Sequence, residues 1–232
     1  MSEDRLYQVA TLPALNADEA AIGYNAFSLL TTGKDEHGNS WPLEFQSFND
    51  YKPGGYFYLV LPFVKVLGLT ELAVRLPNIM LSILSVYLIY LLANELFPNK
   101  NLKIGIWNLK FGVLASFLLA ISPWHLHFSR GGWEVNASTA FFLLGLVLFL
   151  KSLTSHKIIY FSLMSFLAAV YSYHSMRLIV PLFLLATIYL VRKDLVPLKK
   201  HLFLALTTFA VLVLPVFTSL FSHQATSRFA GV

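Results

Sequence analysis

Six long runs of apolar residues, separated by short polar segments, occupy most of the chain after residue 75. The runs are continuous and do not alternate with polar residues, which favours helices crossing a bilayer over barrel strands. A hydrocarbon core of about 30 Å needs roughly 20 helical residues, so the third, fourth and fifth runs need flanking residues to complete a span. The pattern predicts six membrane-spanning helices at 76–97, 104–124, 135–150, 158–173, 178–191 and 202–221.

The segment before these runs has a different pattern. Residues 18–30 are predicted to form a helix, which Asn16 or Asp18 can cap and Gly33 can end. A second stretch, 56–67, is apolar and aromatic but short, and a proline interrupts it. We interpret it as an interfacial helix lying on the bilayer, because aromatic residues favour that depth.

Composition places the chain among integral membrane proteins. Hydrophobic residues make up 56% and charged residues 12% of it, whereas about a quarter of the residues in a soluble domain are charged. The soluble globular and disordered classes are therefore excluded. The absence of cysteine excludes disulfides, thiolate metal sites and cysteine nucleophiles. The net charge of +5 lies largely in loops, so it indicates orientation in a membrane, and no nucleic-acid partner is expected.

The distribution of charge orients the predicted helices. Lysine and arginine cluster in the loops after the first, third and fifth runs, and nearly every acidic residue lies on the other side. By the positive-inside rule the basic loops face the cytoplasm. We therefore expect an extracytoplasmic segment with juxtamembrane helices at 1–75, a transmembrane bundle at 76–221 and the start of another outer loop at 222–232. No signal stretch precedes the outer segment, so we expect this chain to belong to a longer protein, with one more span before it.

Asp18 and Glu19 are adjacent carboxylates at the start of the predicted outer helix. Acidic residues at the cap or in the first turn stabilise a helix by roughly 0.5–1 kcal/mol, so a structural role alone would explain the pair. A carboxylate at the membrane surface can also act as a general base. The pattern alone leaves both roles open.

Cations on the predicted outer side form a second candidate group. Lys52 precedes a Pro-Gly-Gly turn, Arg130 and Glu134 lie in one outer loop, Arg177 lies in the next, and Arg228 follows the last span. The plain alternatives are a solvated lysine, an aromatic belt around interfacial polar residues, and an i, i+4 pair between Arg130 and Glu134. As a group, the four cations would suit an anionic lipid headgroup.

Several segments, in this order along the chain, resemble the GT-C superfamily of membrane glycosyltransferases. They are LNADEAAIGYNA at 15–26, DYKP at 50–53, AVRLP at 73–77, and SPW, SR and Glu134 within 122–134. Within that superfamily the closest likeness is to glycosyltransferase family 39, with the protein O-mannosyltransferases and the lipid A aminoarabinose transferases.

The resemblance implies an all-α, multi-pass enzyme of the bacterial inner membrane with its active site on the extracytoplasmic side. It implies a polyprenyl-phosphate sugar donor, a protein or glycolipid acceptor, and inversion at the anomeric carbon. In this family Asp18 corresponds to the base, Glu19 stands beside it, and Glu134 takes the place of a second acidic residue. Lys52 corresponds to the lysine near the donor phosphate; Arg130, Arg177 and Arg228 are added here by their location.

The resemblance also bears on a metal. Some relatives bind one through a carboxylate immediately before the lysine, where this chain has Tyr51. Asp50 with His174 is a weak substitute, so a divalent metal is not expected to be required, and no other cofactor is implied.

Two other functions fit a polytopic protein. A transporter or flippase of lipid-linked sugars predicts an internal repeat and charges near mid-span, and the sequence has neither. A non-catalytic scaffold would not need Asp18, Glu19, Lys52 and Glu134 together. The sequence therefore favours a glycosyltransferase.

Overall fold

The computed structural model describes residues 14–47, 50–98, 101–104 and 107–220. Most of these residues are helical, and four short strands form two hairpins. In chain order the elements are α1 (Ala17–Thr32), β1 (Glu44–Ser47), β2 (Asp50–Pro53), α2 (Gly55–Leu67), α3 (Glu71–Leu96), β3 (Asn101–Ile104), β4 (Trp107–Lys110), α4 (Phe111–Ile121), α5 (Pro123–Ser129), α6 (Glu134–Ser152), α7 (Ile158–Ser172), α8 (Met176–Leu190), a 3₁₀ turn (Val196–Leu198) and α9 (Lys199–Leu220).

The helices include three that are long and apolar enough to cross a bilayer. They are Glu71–Leu96, Glu134–Ser152 and Val196–Val216, and α4 with α5 makes a fourth if their 62° bend lies within one span. The helices α7 and α8 have 15 residues each, about 22 Å of helix at 1.5 Å per residue. This is shorter than a hydrocarbon core of about 30 Å. The described chain is thus helical with three or four candidate spans, and the number six stays a prediction.

The helix predicted at 104–124 is wrong at its start and interrupted near its end. Residues 101–104 and 107–110 pair as the antiparallel strands β3 and β4. Polar and apolar residues alternate along both strands, which is the strand period and not the helix period. Ser122 then ends α4 and caps α5, and Pro123 occupies the first turn of α5. Lys110, predicted to lie near the start of a span, is exposed at the end of β4.

The helix predicted at 18–30 is confirmed as α1, and Asn16 caps it. The Asn16 side chain accepts from the Glu19 N–H at 2.8 Å, and the Glu19 carboxylate accepts from the Asn16 N–H at 3.1 Å. These reciprocal bonds form a capping box. Gly33 ends the helix with φ 72°, a left-handed conformation that glycine adopts without strain.

The hairpin of β1 and β2 was not predicted from the sequence. Phe45 is directly opposite Lys52 in its register, and opposite residues of an antiparallel pair share one face of the sheet. The Phe45 ring is buried and stacks on Phe57 of α2, with ring centroids 4.1 Å apart. Lys52 is therefore on the inward face of the hairpin, not in a solvated loop.

The apolar core has two parts. One lies among α1, the hairpin, α2 and α3, and the other among α6, α7, α8 and α9. The first contains Ile22, Ala26, Leu29, Phe45, Tyr56, Phe57, Val60, Val64, Ala73, Val74 and Ala137. Because Ala73 and Val74 belong to α3 and Ala137 belongs to α6, this cluster joins the N-terminal segment to two of the candidate spans.

Gly55 fixes the start of α2 against the end of α7. A Cβ atom at this position would lie 2.6 Å from Ser172 Oγ and 2.8 Å from the Tyr171 carbonyl oxygen. The two backbones can approach this closely only because residue 55 has no side chain. The junction between the hairpin and α2 is thereby held on the helical bundle.

We expect G55A to lower the stability of the protein, because the added methyl group would clash with backbone atoms of α7. Overpacking of this kind costs about 1–3 kcal/mol, which thermal unfolding of the purified protein would show as a lower midpoint. The control is V66A on the same helix, since Val66 is 80% exposed. Equal midpoints for the two variants would contradict the close contact.

Candidate active site

Asp18, Lys52 and Glu134 form one cluster of charged side chains. The Lys52 Nζ atom lies 2.6 Å from Asp18 Oδ1 and 3.7 Å from Glu134 Oε1. The three residues come from α1, β2 and α6, which are far apart in the sequence. Folding therefore places two of the three predicted catalytic acids on either side of the predicted phosphate-binding lysine.

The ends of two helices position the carboxylates. Asp18 lies in the first turn of α1, and Glu134 is the first residue of α6. The N-terminus of a helix carries a partial positive charge that favours anionic side chains. The partial positive charge at each helix start and the Lys52 ammonium group thus both attract these carboxylates.

The two carboxylates differ in their access to solvent. The Asp18 side chain is 41% exposed, while that of Glu134 is 10% exposed. Oε1 of Glu134 is buried and has no hydrogen-bond partner among the described residues, although it is within ion-pair distance of Lys52. A buried acceptor without a hydrogen bond is rare in folded proteins, and a catalytic role or a bound ion is one explanation for such an atom.

Glu19 points away from Lys52 and binds Arg75. Its carboxylate accepts from Arg75 Nε at 2.8 Å and Arg75 Nη2 at 2.9 Å, and from the Gly132 N–H at 2.8 Å. Glu19 and Arg75 are each 2% exposed. Burial alone would raise the pKa of Glu19, but the bonds from Arg75, Gly132 and Asn16 outweigh it and lower that pKa below the ordinary value. This geometry makes Glu19 a structural anchor beside the cluster.

A network of amide side chains holds the segment before Glu134. Asn78 Nδ2 donates to the carbonyls of Phe128 at 2.8 Å and Gly131 at 2.6 Å. Asn136 Nδ2 donates to Asn78 Oδ1 at 2.8 Å and to Ser82 Oγ at 2.7 Å. This network joins α3 to α6 and fixes the chain one residue before the Gly132 N–H that binds Glu19.

Arg130 and Arg177, the other predicted cations within the described ranges, form no ion pair with Asp18 or Glu134. Arg177 is buried, and its Nη2 atom lies 2.5 Å from Glu44 Oε1, so β1 and not a ligand neutralises it. Arg130 is exposed just before α6 and makes no ion pair within the described ranges. Arg228 lies outside the described residues. The described structure thus offers Lys52 as the cation at the centre of the cluster.

His174, one of the two weak metal candidates, contacts the backbone of the hairpin. Nε2 of His174 lies 2.7 Å from the Tyr51 carbonyl oxygen, so this contact ties the turn before α8 to the hairpin. The side chain of Asp50 lies outside the described part. Among the described side chains, no group of three or more histidine, aspartate or glutamate residues is arranged to hold a metal ion.

Sequence reasoning missed three residues that shape this region: Arg75, Asn78 and Asn136. Arg75 was noted in a motif but given no role, and the two asparagines lie at the starts of apolar helices. Amides and charges within apolar runs are costly unless they are bonded, and they mark interior or functional positions. That rule is the signal that would have identified them.

The comparisons with known proteins return no match. No family model matches the chain, and none of the curated proteins or solved structures does so either. The assignment of a function therefore rests on this geometry and on the residues themselves.

We expect E19Q to destabilise the protein strongly, because the Arg75 charge would stay buried opposite a neutral side chain. Removing one partner of a buried ion pair costs about 3–5 kcal/mol. Thermal or denaturant unfolding would measure the loss, with E95Q at an exposed glutamate as the matched control. The double variant E19Q/R75M should recover part of the loss, and an E19Q protein as stable as E95Q would contradict the anchor.

We expect the contribution of Glu19 to stability to depend on pH in the acid range. Its pKa in the folded protein is lowered from the ordinary value of 4.5, so the folded state favours the ionised form. This contribution is fully present above pH 4.5 and is lost as the pH falls through the lowered pKa. The difference in unfolding free energy between wild type and E19Q should therefore shrink as the pH is taken from 7 towards 3. A difference that stays constant over that range would contradict this assignment.

Proposed function

We propose that the protein is a membrane glycosyltransferase of the GT-C type, which transfers a sugar from a polyprenyl-phosphate donor to an acceptor hydroxyl. The observation that carries this proposal is the bridging of Asp18 and Glu134 by Lys52. These three residues are among the four that the resemblance to this superfamily singled out, and Glu19 is the fourth. We also propose that the cluster faces the extracytoplasmic side of a bacterial inner membrane and that the described helices belong to a bundle of six spans.

The accessible carboxylate would be the base. Asp18 is the most exposed of the three acidic residues in this region, since Glu19 is 2% and Glu134 8% exposed. An acceptor hydroxyl reaching Asp18 could transfer its proton there as its oxygen attacks the anomeric carbon. The bond from that carbon to the phosphate oxygen then breaks, and the electron pair leaves with the polyprenyl phosphate. Attack opposite the leaving phosphate inverts the anomeric centre.

Lys52 would bind the donor phosphate. In the described structure its ammonium group contacts Asp18 and Glu134, and a phosphate would compete with Asp18 for that ammonium. Loss of this ion pair would leave the Asp18 carboxylate free to accept a proton. Arg130, exposed beside the start of α6, is a second cation for the phosphate charge that grows during transfer.

Glu134 and Glu19 take supporting roles in this proposal. Glu134 holds Lys52 from the buried side, and Glu19 fixes the start of α1 through Arg75. Neither needs to exchange a proton with the substrate. The sugar, and the choice between a protein and a glycolipid acceptor, follow from other parts of the site.

We expect D18N to reduce sugar transfer by at least about 100-fold, since a general base contributes about 10²–10⁴ in rate. Cells that depend on the D18N protein should accumulate the polyprenyl-phosphate sugar and lose the glycosylated product. Mass spectrometry of lipid extracts and of membrane glycoconjugates measures both.

The matched control is D194N, because Asp194 is exposed in the segment after α8, far along the chain from the cluster. It should leave both mass spectra as in wild type. If D18N is expressed at the wild-type level and still makes the glycosylated product at the wild-type rate, the assignment of Asp18 as base is wrong.

A further inference from the structure

A separate cavity opens beside Asp18 on the same helix. Its volume is about 500 Å³, within the range of about 300–1,000 Å³ for pockets that bind small molecules. Ala17, Ala20, Ala21 and Tyr24 line one wall, at the i, i+3, i+4, i+7 spacing of a single helix face. Asp18 lies directly after Ala17 and three residues before Ala21, so it borders this wall.

The cavity has a fixed carboxylate at its rim. Glu36 lines it, and Asn25 holds that residue in two ways. Asn25 Nδ2 donates to Glu36 Oε1 at 2.8 Å, and Asn25 Oδ1 accepts from the Glu36 N–H at 3.0 Å. Asn25 is 1% exposed, so a buried side chain of α1 holds the Glu36 carboxylate in position before any ligand binds.

A buried hydroxyl group in the wall has no hydrogen bond within the described part of the chain. Ser47 lines the cavity and is 4% exposed, and its Oγ atom has no hydrogen-bond partner there. An unsatisfied buried hydroxyl is costly, and rotation of the Ser47 side chain about its Cα–Cβ bond would present this hydroxyl to a ligand in the cavity. Tyr24, across the cavity, is 51% exposed. Its ring is therefore accessible for a flat ligand to pack on.

The charge and shape of the lining select the class of ligand. The described lining contains a glutamate and a histidine but no lysine or arginine, so a phosphate would find repulsion here and attraction at Lys52. The cavity presents one aromatic ring, three methyl groups and separate polar groups. This lining suits a ligand whose ring has apolar faces and hydroxyl groups at its edge. An extended peptide would use a strand edge or a long groove instead.

We propose that this cavity is the acceptor subsite and that it binds a neutral carbohydrate, packed on Tyr24 and hydrogen-bonded by Ser47 and Glu36. The role of this cavity as the acceptor subsite rests on the proposed function, whereas its binding of a carbohydrate does not. Donor and acceptor would then approach Asp18 from two sides, the phosphate at Lys52 and the sugar hydroxyl from the cavity.

The test is direct binding of neutral trisaccharides to the protein in lipid nanodiscs free of sugar-headed detergent. Mannotriose, maltotriose and chitotriose are the probes, and calorimetry or saturation-transfer NMR measures the dissociation constant. At least one should bind, and Y24A and S47A should each weaken it about tenfold. F27A is the matched control, because Phe27 is 43% exposed on the same helix but outside the cavity.

Stability separates binding from a structural role of Ser47. S47A should unfold at the same or a higher temperature than wild type, since it removes an unsatisfied hydroxyl. The inference is overturned if no trisaccharide binds, if F27A weakens binding as much as Y24A does, or if a serine- and threonine-rich peptide binds to wild type more tightly than every trisaccharide and Y24A weakens that binding.

The two proposals fail in different ways. D18N should lose sugar transfer and keep trisaccharide binding. If D18N retains transfer and Y24A loses binding, the assignment of Asp18 as base is wrong and the carbohydrate site is supported. If D18N loses transfer and Y24A retains binding, the assignment of Asp18 is supported and the carbohydrate site is wrong.

Discussion

The ion pair between Glu19 and Arg75 joins α1 to α3 and decides which way the start of α1 faces. Both side chains are 2% exposed, and two bonds of 2.8 and 2.9 Å connect them. Successive residues on a helix point about 100° apart. With Glu19 turned inward to Arg75, Asp18 must point to another side, where Lys52 meets it. The orientation of the accessible carboxylate thus follows from a buried pair that does not contact Lys52.

The position of Lys52 depends on contacts from outside its own hairpin. Two strands of four residues are marginal by themselves. The Gly54 N–H donates to the Leu43 carbonyl at 2.8 Å and extends the hairpin by one pair. Two contacts from outside hold it: Arg177 binds Glu44, and His174 contacts the Tyr51 carbonyl. Both come from the turn and first residues of α8, where the sequence suggested Arg177 as a phosphate ligand and His174 as a weak metal ligand. The described structure gives these side chains the task of fixing the strand that carries Lys52.

Local signals predicted the parts of the fold that local interactions control. The limits of α1 follow from Asn16 and Gly33, and α6 follows from an apolar run with Glu134 at its start. The hairpin of β1 and β2 has four-residue strands, and its inward residue Phe45 gains burial only against Phe57 of α2. Long-range packing of that kind leaves no periodic signal. The bond from the Gly132 N–H to Glu19, across more than one hundred residues, was likewise beyond any local rule.

The three acidic residues of this region differ in what binds them, and this difference argues that they have different roles. Glu19 has its oxygens engaged by Arg75, Asn16 and Gly132, so a proton placed there would break an anchor. Glu134 is buried and faces Lys52, so an acceptor could not reach it without displacing the lysine. Asp18 alone of the three combines exposure with a contact that an incoming anion can replace. A chain that needed the three carboxylates only for stability would gain most by burying and bonding each of them, and Asp18 departs from that arrangement.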